Sequence, residues 1–272
     1  MLTDYHVHLE TGPYTLEWLK KYWKVAQERG ITNLGFSEHG YRFKQFKEIL
    51  YNPWIERRQT EDVKEYVNLV LKAKKQGLPV KLGVELDFVP GKEKKIENFI
   101  QSYPWDYVIG SIHWIEDWGF DLPEMKEKWD HEKVIDIYHR YFSIMKQLLT
   151  SHLFDIIGHL DVVKVFGYKP GQKDYDILLS FYDQIIEPIK KSGAVVEMST
   201  AGLRKPVREL YPSEELMERL TANNIPMMIN SDAHRPEDVG AEYDKGIAYL
   251  KKYGIDHISI FNQRKKSMVL LG

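Results

Sequence analysis

Short apolar runs alternate along this chain with longer helical patterns, and six of the runs carry histidine or acidic motifs at or near their ends. In chain order the motifs are D-Y-H-V-H at 4–8, S-E-H-G at 37–40, G-V-E at 83–85, G-S-I-H-W at 110–114, G-H-L-D at 158–161 and S-D-A-H at 231–234. Imidazole and carboxylate groups are the usual ligands of catalytic zinc, iron and manganese. The pattern therefore predicts one metal cluster at one end of a barrel.

The order of the elements predicts an α/β fold. The strand-like runs cover residues 2–8, 32–37, 80–88, 106–113, 155–159, 194–198, 226–231 and 256–261. Helical patterns cover 15–29, a stretch capped by Thr60 and ended by Gly77, 92–102, 131–151, 174–192 and 213–223. Strand–helix alternation indicates a parallel sheet, and the strands are mostly apolar throughout, as strands buried on both faces are.

A closed barrel fits better than an open doubly wound sheet. The open sheet would need a Gly-rich nucleotide turn or a single crevice, and the chain has no such turn. A barrel brings six strand ends to one mouth. The segment 45–59 fits neither strand nor helix, and we expect it to form a long loop over the mouth.

Composition narrows the possible class of protein. The length of 272 residues suits one barrel domain of about 250 residues, so we expect a single domain over 1–272. A net charge of −2 provides no basic field for nucleic acid or for an anionic membrane. Cysteine is absent, which excludes disulfides and thiolate ligands. With no signal-peptide pattern and no apolar run near the ~20 residues of a membrane span, we expect a cytoplasmic enzyme.

Two pairs of candidate ligands share one geometry. His6 and His8 are two residues apart on a strand, so both side chains point to the same face. Asp232 and His234 repeat this spacing near the other end of the chain. Asp4 lies on the face of His6 and His8, where we expect it to orient a ligand histidine.

The remaining candidates are single residues in largely apolar runs. Glu85 is a lone carboxylate, which is costly to bury unless it is paired or bound to metal. A lysine such as Lys92 or Lys94 could pair with it, or it could bridge two ions. His113, His159 and His39 could each be a hydrogen-bonded core group if taken alone. Jointly the candidates favour a metal site, and the expected ligands are His6, His8, His39, Glu85, His113, His159, Asp232 and His234.

The number of ligands predicts the chemistry. Eight ligands suffice for two or three divalent ions, and nitrogen and oxygen donors suit zinc, iron and manganese alike. Paired ions in such sites activate water and hold both the attacking and the leaving oxygen. The expected reaction is therefore metal-assisted hydrolysis. The other four histidines, His131, His139, His152 and His257, are predicted to be structural or solvated.

Taken in order, H-x-H, E-H, G-x-E, S-x-H, G-H-x-D and S-D-A-H resemble the PHP (polymerase and histidinol phosphatase) superfamily over nearly the whole chain. The resemblance implies a distorted (β/α)7 TIM-like barrel with a trinuclear metal site at its C-terminal mouth. It implies that the last strand-like run, His257 to Phe261, lies outside the barrel. It assigns His6, His8, Glu85 and Asp232 to a first metal, Glu85, His113 and His159 to a second, and His39 and His234 to a third. Glu10 is a candidate further ligand of the third ion, where family members often supply a histidine or acid.

Two further stretches, D-Y-V-I-G-S-I-H-W at 106–114 and S-T-A-G-L-R-K-P at 199–206, resemble the histidinol-phosphate phosphatase branch. The resemblance implies a phosphomonoesterase acting on L-histidinol phosphate in histidine biosynthesis, or on another small phosphate ester. Its catalytic residues would be Glu85, Asp232, His234 and Arg204. Arg204, with Lys205 and Arg208 close by, would bind the phosphate, and the alternative is a solvated basic loop. Arg42 and Lys164, which also lie just beyond mouth motifs, are further candidates for binding the phosphate.

Two other classes remain as alternatives. A metal-dependent amidohydrolase also has H-x-H on its first strand, but it would call for a metal-bridging lysine on the fourth strand and a single terminal aspartate. Glu85 as the bridge, and His234 after Asp232, point away from that class. A non-catalytic metal-binding module is the third alternative, and it is usually attached to a polymerase. The sequence leaves the oligomeric state open.

Overall fold

Seven parallel strands form the centre of the protein. The computed structural model describes residues 1–272. The strands of the large sheet are β1 Leu2–Asp4, β2 Ile31–Phe36, β3 Val80–Asp87, β4 Tyr107–Ser111, β7 Ile156–Ile157, β8 Val195–Ser199 and β9 Met227–Asn230. They lie in the order β1-β2-β3-β4-β7-β8-β9. Each strand pairs in parallel with the next in the chain apart from a small hairpin, as expected from strand–helix alternation.

The sheet is nearly closed into a barrel. Just beyond β1 and β9, Val7 and Ala233 form a parallel bridge. The main-chain N–H of His8 donates to Ala233 O at 2.8 Å, and the N–H of Ala233 donates to His6 O at 3.0 Å. These bonds join the first and last strands only at their carboxyl ends. The expected distorted (β/α)7 barrel is confirmed.

Eight helices connect and cover the strands. They are α1 Leu16–Glu28, α2 Pro53–Glu56, α3 Val63–Lys75, α4 Glu93–Gln101, α5 Val134–Ser151, α6 Tyr175–Ser192, α7 Glu214–Ala222 and α8 Tyr243–Lys252. Thr15 caps α1 through a bond from Trp18 N. The expected cap Thr60 is wrong, because Asp62 accepts the Lys64 N–H and caps α3. Helix α8 was not anticipated.

The last strand-like run lies outside the barrel, as expected. It forms β10 His257–Asn262, which pairs in antiparallel fashion with β11 Lys265–Leu270. Gln263 and Arg264 join the two strands with φ values of 50° and 61°, the pattern of a type I′ hairpin turn. Phe261 packs into a cluster with Tyr5 and Tyr107, so the hairpin covers the amino end of the barrel.

Two insertions surround the opposite end. The segment 45–59 contains a 3-10 turn and α2, so it is less irregular than the expected loop. A second insertion is the hairpin of β5 Trp114–Ile115 and β6 Trp118–Gly119. The rings of Trp54 and Trp114 meet edge to face, with centroids 5.6 Å apart. None of the helices has the length and apolar character needed to cross a membrane.

Candidate metal centre and cavity

All eight expected ligand residues lie at the carboxyl end of the barrel. Parallel strands end on the same side of a barrel, so residues that follow different strands become neighbours. His6 and His8 follow β1, His39 follows β2, and Glu85 lies near the end of β3. His113 follows β4, His159 follows β7, and Asp232 and His234 follow β9. The structure brings all of them into one cluster.

Glu85 lies at the centre of this cluster. It is only 1% exposed, and no lysine or arginine pairs with it; Lys94 instead bonds to Glu97. Imidazole nitrogens from four strand ends surround it. The distances are 2.7 Å from His39 Nδ1 to Oε2, and 3.1 Å from His159 Nε2, 3.2 Å from His6 Nε2 and 3.6 Å from His113 Nε2 to Oε1.

Asp232 is the second carboxylate of the cluster. Its Oδ1 lies 3.2 Å from His234 Nε2, 3.3 Å from His8 Nε2 and 3.6 Å from His6 Nε2. Its φ of 50° is in the left-handed region, which costs energy for a residue with a Cβ atom. Arg204 Nη2 donates to the carbonyl oxygens of Ser231 and Asp232 and so supports this conformation.

The cluster fits divalent ions bound by nitrogen and oxygen. The buried atoms His6 Nε2, His8 Nε2, His39 Nδ1 and Glu85 Oε2 face other atoms of the cluster but form no hydrogen bond of suitable geometry. The Nε2 atoms of His113 and His159 are 3.3 Å apart, and two nitrogens on one tetrahedral zinc ion are also about 3.3 Å apart. Donor atoms lie within 4.8 Å of one another in the groups His8–His39–His234, His6–His8–Asp232, His6–Glu85–His159 and His39–Glu85–His113.

Carboxylates hold the other ring nitrogen of three histidines, His6, His113 and His234. His6 Nδ1 is 2.7 Å from Glu197 Oε1, and His113 Nδ1 is 2.9 Å from Asp87 Oδ1. Glu197 and Asp87 were missed in the sequence, although each is an acid in a buried strand. Asp87 also shares the face of Glu85, two residues away. Such carboxylates orient metal-binding imidazoles.

The structure places two acidic residues, Asp4 and Glu10, differently from what the sequence led us to expect. Asp4 contacts no histidine ring; it accepts from the main-chain N–H groups of Ser231 and Gly240, both at 3.0 Å, so its expected orienting role is wrong. It holds the loop after β9 instead. Glu10 Oε1 lies 2.8 Å from His234 Nδ1, and its other oxygen accepts from Arg42. Glu10 therefore lies behind His234, on the ring side away from Asp232.

Mutual interactions shift the pKa values of these groups. Burial and the adjacent His8 lower the pKa of His39 to about 4, so its imidazole is neutral. Burial opposes charge on His113 as well, but Asp87 and Glu85 raise its pKa to about 10. Burial alone would raise the pKa of Glu85, but the surrounding imidazoles hold it well below its usual range. Without metal the cluster retains ring protons, which bound ions would displace.

The cluster opens into a cavity of about 470 Å³. Its inner wall carries His39, His113, His159, Asp232 and His234. The rest of the lining includes the aromatic residues Tyr41, Trp54, Trp114 and Tyr211 and the charged residues Glu10, Arg42, Arg58, Asp121, Glu124 and Lys205. The segment 45–59 contributes Trp54 and Arg58, so it does border the mouth.

The expected phosphate-binding residues are only partly at the cavity. Arg42 lines it, but its guanidinium pairs with Glu10 at 3.1 Å and with Glu61. Lys164 is buried, with Nζ 2.8 Å from Asp161 Oδ2, so it is unavailable to a substrate in this conformation.

The basic loop after β8 also differs from the expectation. Arg208 is exposed and donates to Leu203 O, outside the cavity. Arg204 faces the loop of Asp232 rather than the cavity, because main-chain carbonyls bind its guanidinium. The adjacent Lys205 lines the cavity instead, as does Arg58, which was missed. The direction of each side chain is set by tertiary contacts and leaves no signal in the sequence.

The four histidines expected to be structural or solvated lie away from the cluster. His131, His139, His152 and His257 are exposed, and none of them lines the cavity. His131 is next to Glu127, and His257 is next to Asp256. The separation of these four from the six clustered histidines agrees with the expectation.

Comparison with known proteins identifies relatives over almost the full chain. The PHP domain family profile matches residues 4–201. A Deinococcus radiodurans protein described as a probable histidinol-phosphatase is 31% identical over 256 residues, covering 93% of this chain and 94% of that protein. A Bacillus subtilis histidinol-phosphatase is 24% identical over 272 residues, covering 92% and 98%.

A solved structure has a similar fold. The crystal structure of a histidinol phosphate phosphatase from Lactococcus lactis, in complex with zinc, L-histidinol and phosphate, superposes with a TM-score of 0.73. The two chains are 20% identical, and 98% of each is covered. Together, the family match and the Deinococcus relative show that this chain belongs to the PHP domain family.

Proposed function

We propose that this chain is a metal-dependent phosphomonoesterase that hydrolyses L-histidinol phosphate to L-histidinol and phosphate in histidine biosynthesis. The observation that carries the proposal is the cluster of eight imidazole and carboxylate side chains, with unpaired buried atoms, at the inner wall of a cavity. Curated relatives named histidinol-phosphatase over nearly their whole length support this substrate.

Two or three divalent ions of zinc, iron or manganese are the proposed cofactors. His6, His8, Glu85 and Asp232 would hold the first, Glu85, His113 and His159 the second, and His39 and His234 the third. Bound ions of this kind lower the pKa of water toward about 7 and neutralise charge on a phosphoryl group. Glu85 is the natural bridge, because its two oxygens face imidazoles from different strands.

The chain's own residues would bind and orient the ester. The phosphate group belongs at the inner wall, and Lys205 adds positive charge to the same cavity. Asp121 and Glu124 lie in the same cavity as the paired rings of Trp54 and Trp114. Carboxylates and aromatic faces suit the ammonium group and imidazole ring of histidinol. The lining of the cavity therefore offers groups that suit both ends of this substrate.

A phosphate-release panel tests this function. The zinc-, manganese- or iron-loaded protein would be given L-histidinol phosphate, nucleotides, sugar phosphates and phosphotyrosine at matched concentrations. We expect the highest kcat/KM for L-histidinol phosphate. A clear preference for another ester would reassign the substrate within the same chemistry. No release from any ester would refute the proposed activity.

The structure offers less support for the amidohydrolase alternative. The fourth strand, β4 Tyr107–Ser111, has no lysine that could bridge two metals. We also propose that residues 1–272 act as one domain, since the barrel strands extend from Leu2 to Asn230 and the C-terminal hairpin packs against the barrel.

A further inference from the structure

One buried carboxylate next to the cluster, Glu197, contacts more than one of the ligand residues. Glu197 lies in the middle of β8 and is 0% exposed. Its Oε1 is 2.7 Å from His6 Nδ1 and 2.8 Å from Asn230 Nδ2. Its Oε2 accepts from the main-chain N–H of His159 at 2.7 Å. One side chain thus joins the ends of β1, β7 and β9.

The contacts around Glu197 determine which nitrogen of His6 carries the proton. Tyr5 N–H donates to Asn230 Oδ1 at 2.7 Å, which fixes the amide so that Nδ2 faces Glu197. Both oxygens of Glu197 therefore already accept from groups that can only donate. His6 Nδ1 must be the donor in its contact with Oε1. His6 Nε2, which faces Glu85 at 3.2 Å, is then the nitrogen whose lone pair would bind an ion.

We propose that Glu197 is a positioning residue that prepares the group of His6, Glu85 and His159, in which His6 would hold the first ion and His159 the second. It fixes the ring proton of His6 on Nδ1 and holds the main chain of His159, whose Nε2 lies 3.1 Å from Glu85. The inference rests on the proposed metal-dependent function. Glu197 itself would not bind the ion, because both of its oxygens face other donors.

The substitution Glu197→Gln separates this role from simple space filling. A glutamine side chain has nearly the same shape but offers one acceptor and one donor. If its oxygen faces His159 N–H, its NH₂ group faces His6 Nδ1 and favours the Nε2–H form, which cannot bind metal through Nε2. If the amide is reversed, the NH₂ group opposes the N–H of His159. Either orientation disturbs one histidine of the group.

The test measures metal affinity directly. Zinc would be titrated into wild-type protein and Glu197→Gln in competition with a chromophoric chelator, with cobalt absorption spectra as a second readout. We expect the affinity for one ion per chain to fall about 10–100-fold. The absorption bands that report cobalt coordination should change in Glu197→Gln. A general loss of stability would not alter these bands as long as the protein is folded.

Asp106→Asn is the matched control. Asp106 is also a buried carboxylate that accepts main-chain N–H groups, but it lies at the amino end of the barrel. This variant should bind zinc as wild type does even if it unfolds at a lower temperature. If Glu197→Gln binds zinc as tightly as wild type does, the inference about Glu197 is overturned. The proposed function would still stand in that case, because the wild-type protein binds zinc. Wild-type protein that binds no zinc would overturn the proposed function itself.

A measurement on the wild-type holoenzyme keeps the proposal testable if Glu197→Gln does not fold. Long-range proton–nitrogen correlations in histidine-labelled, zinc-loaded protein report which ring nitrogen carries hydrogen. His6 should show a slowly exchanging hydrogen on Nδ1, because that atom is buried against Glu197. A His6 ring protonated on Nε2, or one with a rapidly exchanging Nδ1 hydrogen, would overturn the proposal.

Discussion

Glu85 at the carboxyl end of the barrel is buried in a different way from the acidic residues at the amino end. At the amino end, Asp106 accepts from Lys74 Nζ at 2.6 Å and from two main-chain N–H groups. Asp155 there accepts from Arg264 Nε at 2.8 Å and from a main-chain N–H. At the carboxyl end, the side chain of Glu85 meets only imidazoles, and its Oε2, 2.7 Å from His39 Nδ1, forms no hydrogen bond of suitable geometry.

This difference separates structural carboxylates from functional ones. Buried polar groups are normally satisfied, so a group of unpaired buried atoms indicates a missing ligand or stored strain. The amino end needs nothing beyond the chain to satisfy its acids. The carboxyl end requires divalent ions to satisfy the nitrogen and oxygen atoms that face one another.

Metal removal should have the largest effect. Chelation should abolish phosphate release, because the cluster would lose the ions that activate water. Zinc, manganese or iron should restore activity, and magnesium alone should restore it poorly, since imidazole ligands disfavour a hard, oxygen-seeking ion. The melting temperature should also fall, because ions bound only by the folded state stabilise it. Full activity in excess chelator, with no metal found by elemental analysis, would contradict the metal assignment.

Glu85→Gln should lower kcat by at least about 100-fold while the protein remains folded. The amide cannot bridge ions as a carboxylate does, so the cluster should lose metal. Phosphate release and elemental analysis would be measured on purified protein reloaded with zinc. Asp106→Asn, at the other end of the barrel, should retain metal and activity. Normal turnover by metal-loaded Glu85→Gln would remove Glu85 from the centre of the site.

Lys205→Ala should raise KM for the best phosphate ester about 10–100-fold, corresponding to ~1.5–3 kcal/mol for one charge-assisted contact. Lys205 lines the cavity, whereas the nearby Arg208 is exposed and outside it. Steady-state kinetics of Lys205→Ala and Arg208→Ala would be compared, with metal content as a check. Equal effects of the two substitutions would mean that the loop contributes only general positive charge.

The sequence predicted the cluster well because its geometry is local. His6 and His8, or Asp232 and His234, share a strand face through their spacing, and parallel strands bring their ends together. The nearby acid Glu197 was missed for the opposite reason. Its partners come from other strands, as far as 191 residues away. A buried acid can be noticed in a sequence, but the group it will contact depends on the assembled barrel.

Side-chain direction and exact helix starts also depended on the assembled structure. Arg204 and Lys205 are adjacent and both basic, yet one supports the Asp232 loop and the other lines the cavity. Thr60 and Asp62 are both residue types that cap helices well. In the folded chain the helix begins at Val63, so Asp62 is the residue that accepts the Lys64 N–H. Strand β11 was missed because nearly all of its residues are exposed, so it lacks the apolar pattern of a barrel strand.

The smallest expected effect on catalysis comes from the amino end. Arg264→Ala removes the ion pair with Asp155, in which the side chains are 36% and 12% exposed, and also a bond to Leu153 O. The loss leaves a mostly buried carboxylate with fewer donors and should lower the unfolding free energy by about 1–3 kcal/mol. Thermal unfolding would show a lower melting temperature. The values of kcat and zinc affinity should stay at those of wild type, because Asp155 lies before β7, at the end of the barrel opposite the cluster. A parallel loss of zinc affinity would show that the two ends are energetically coupled.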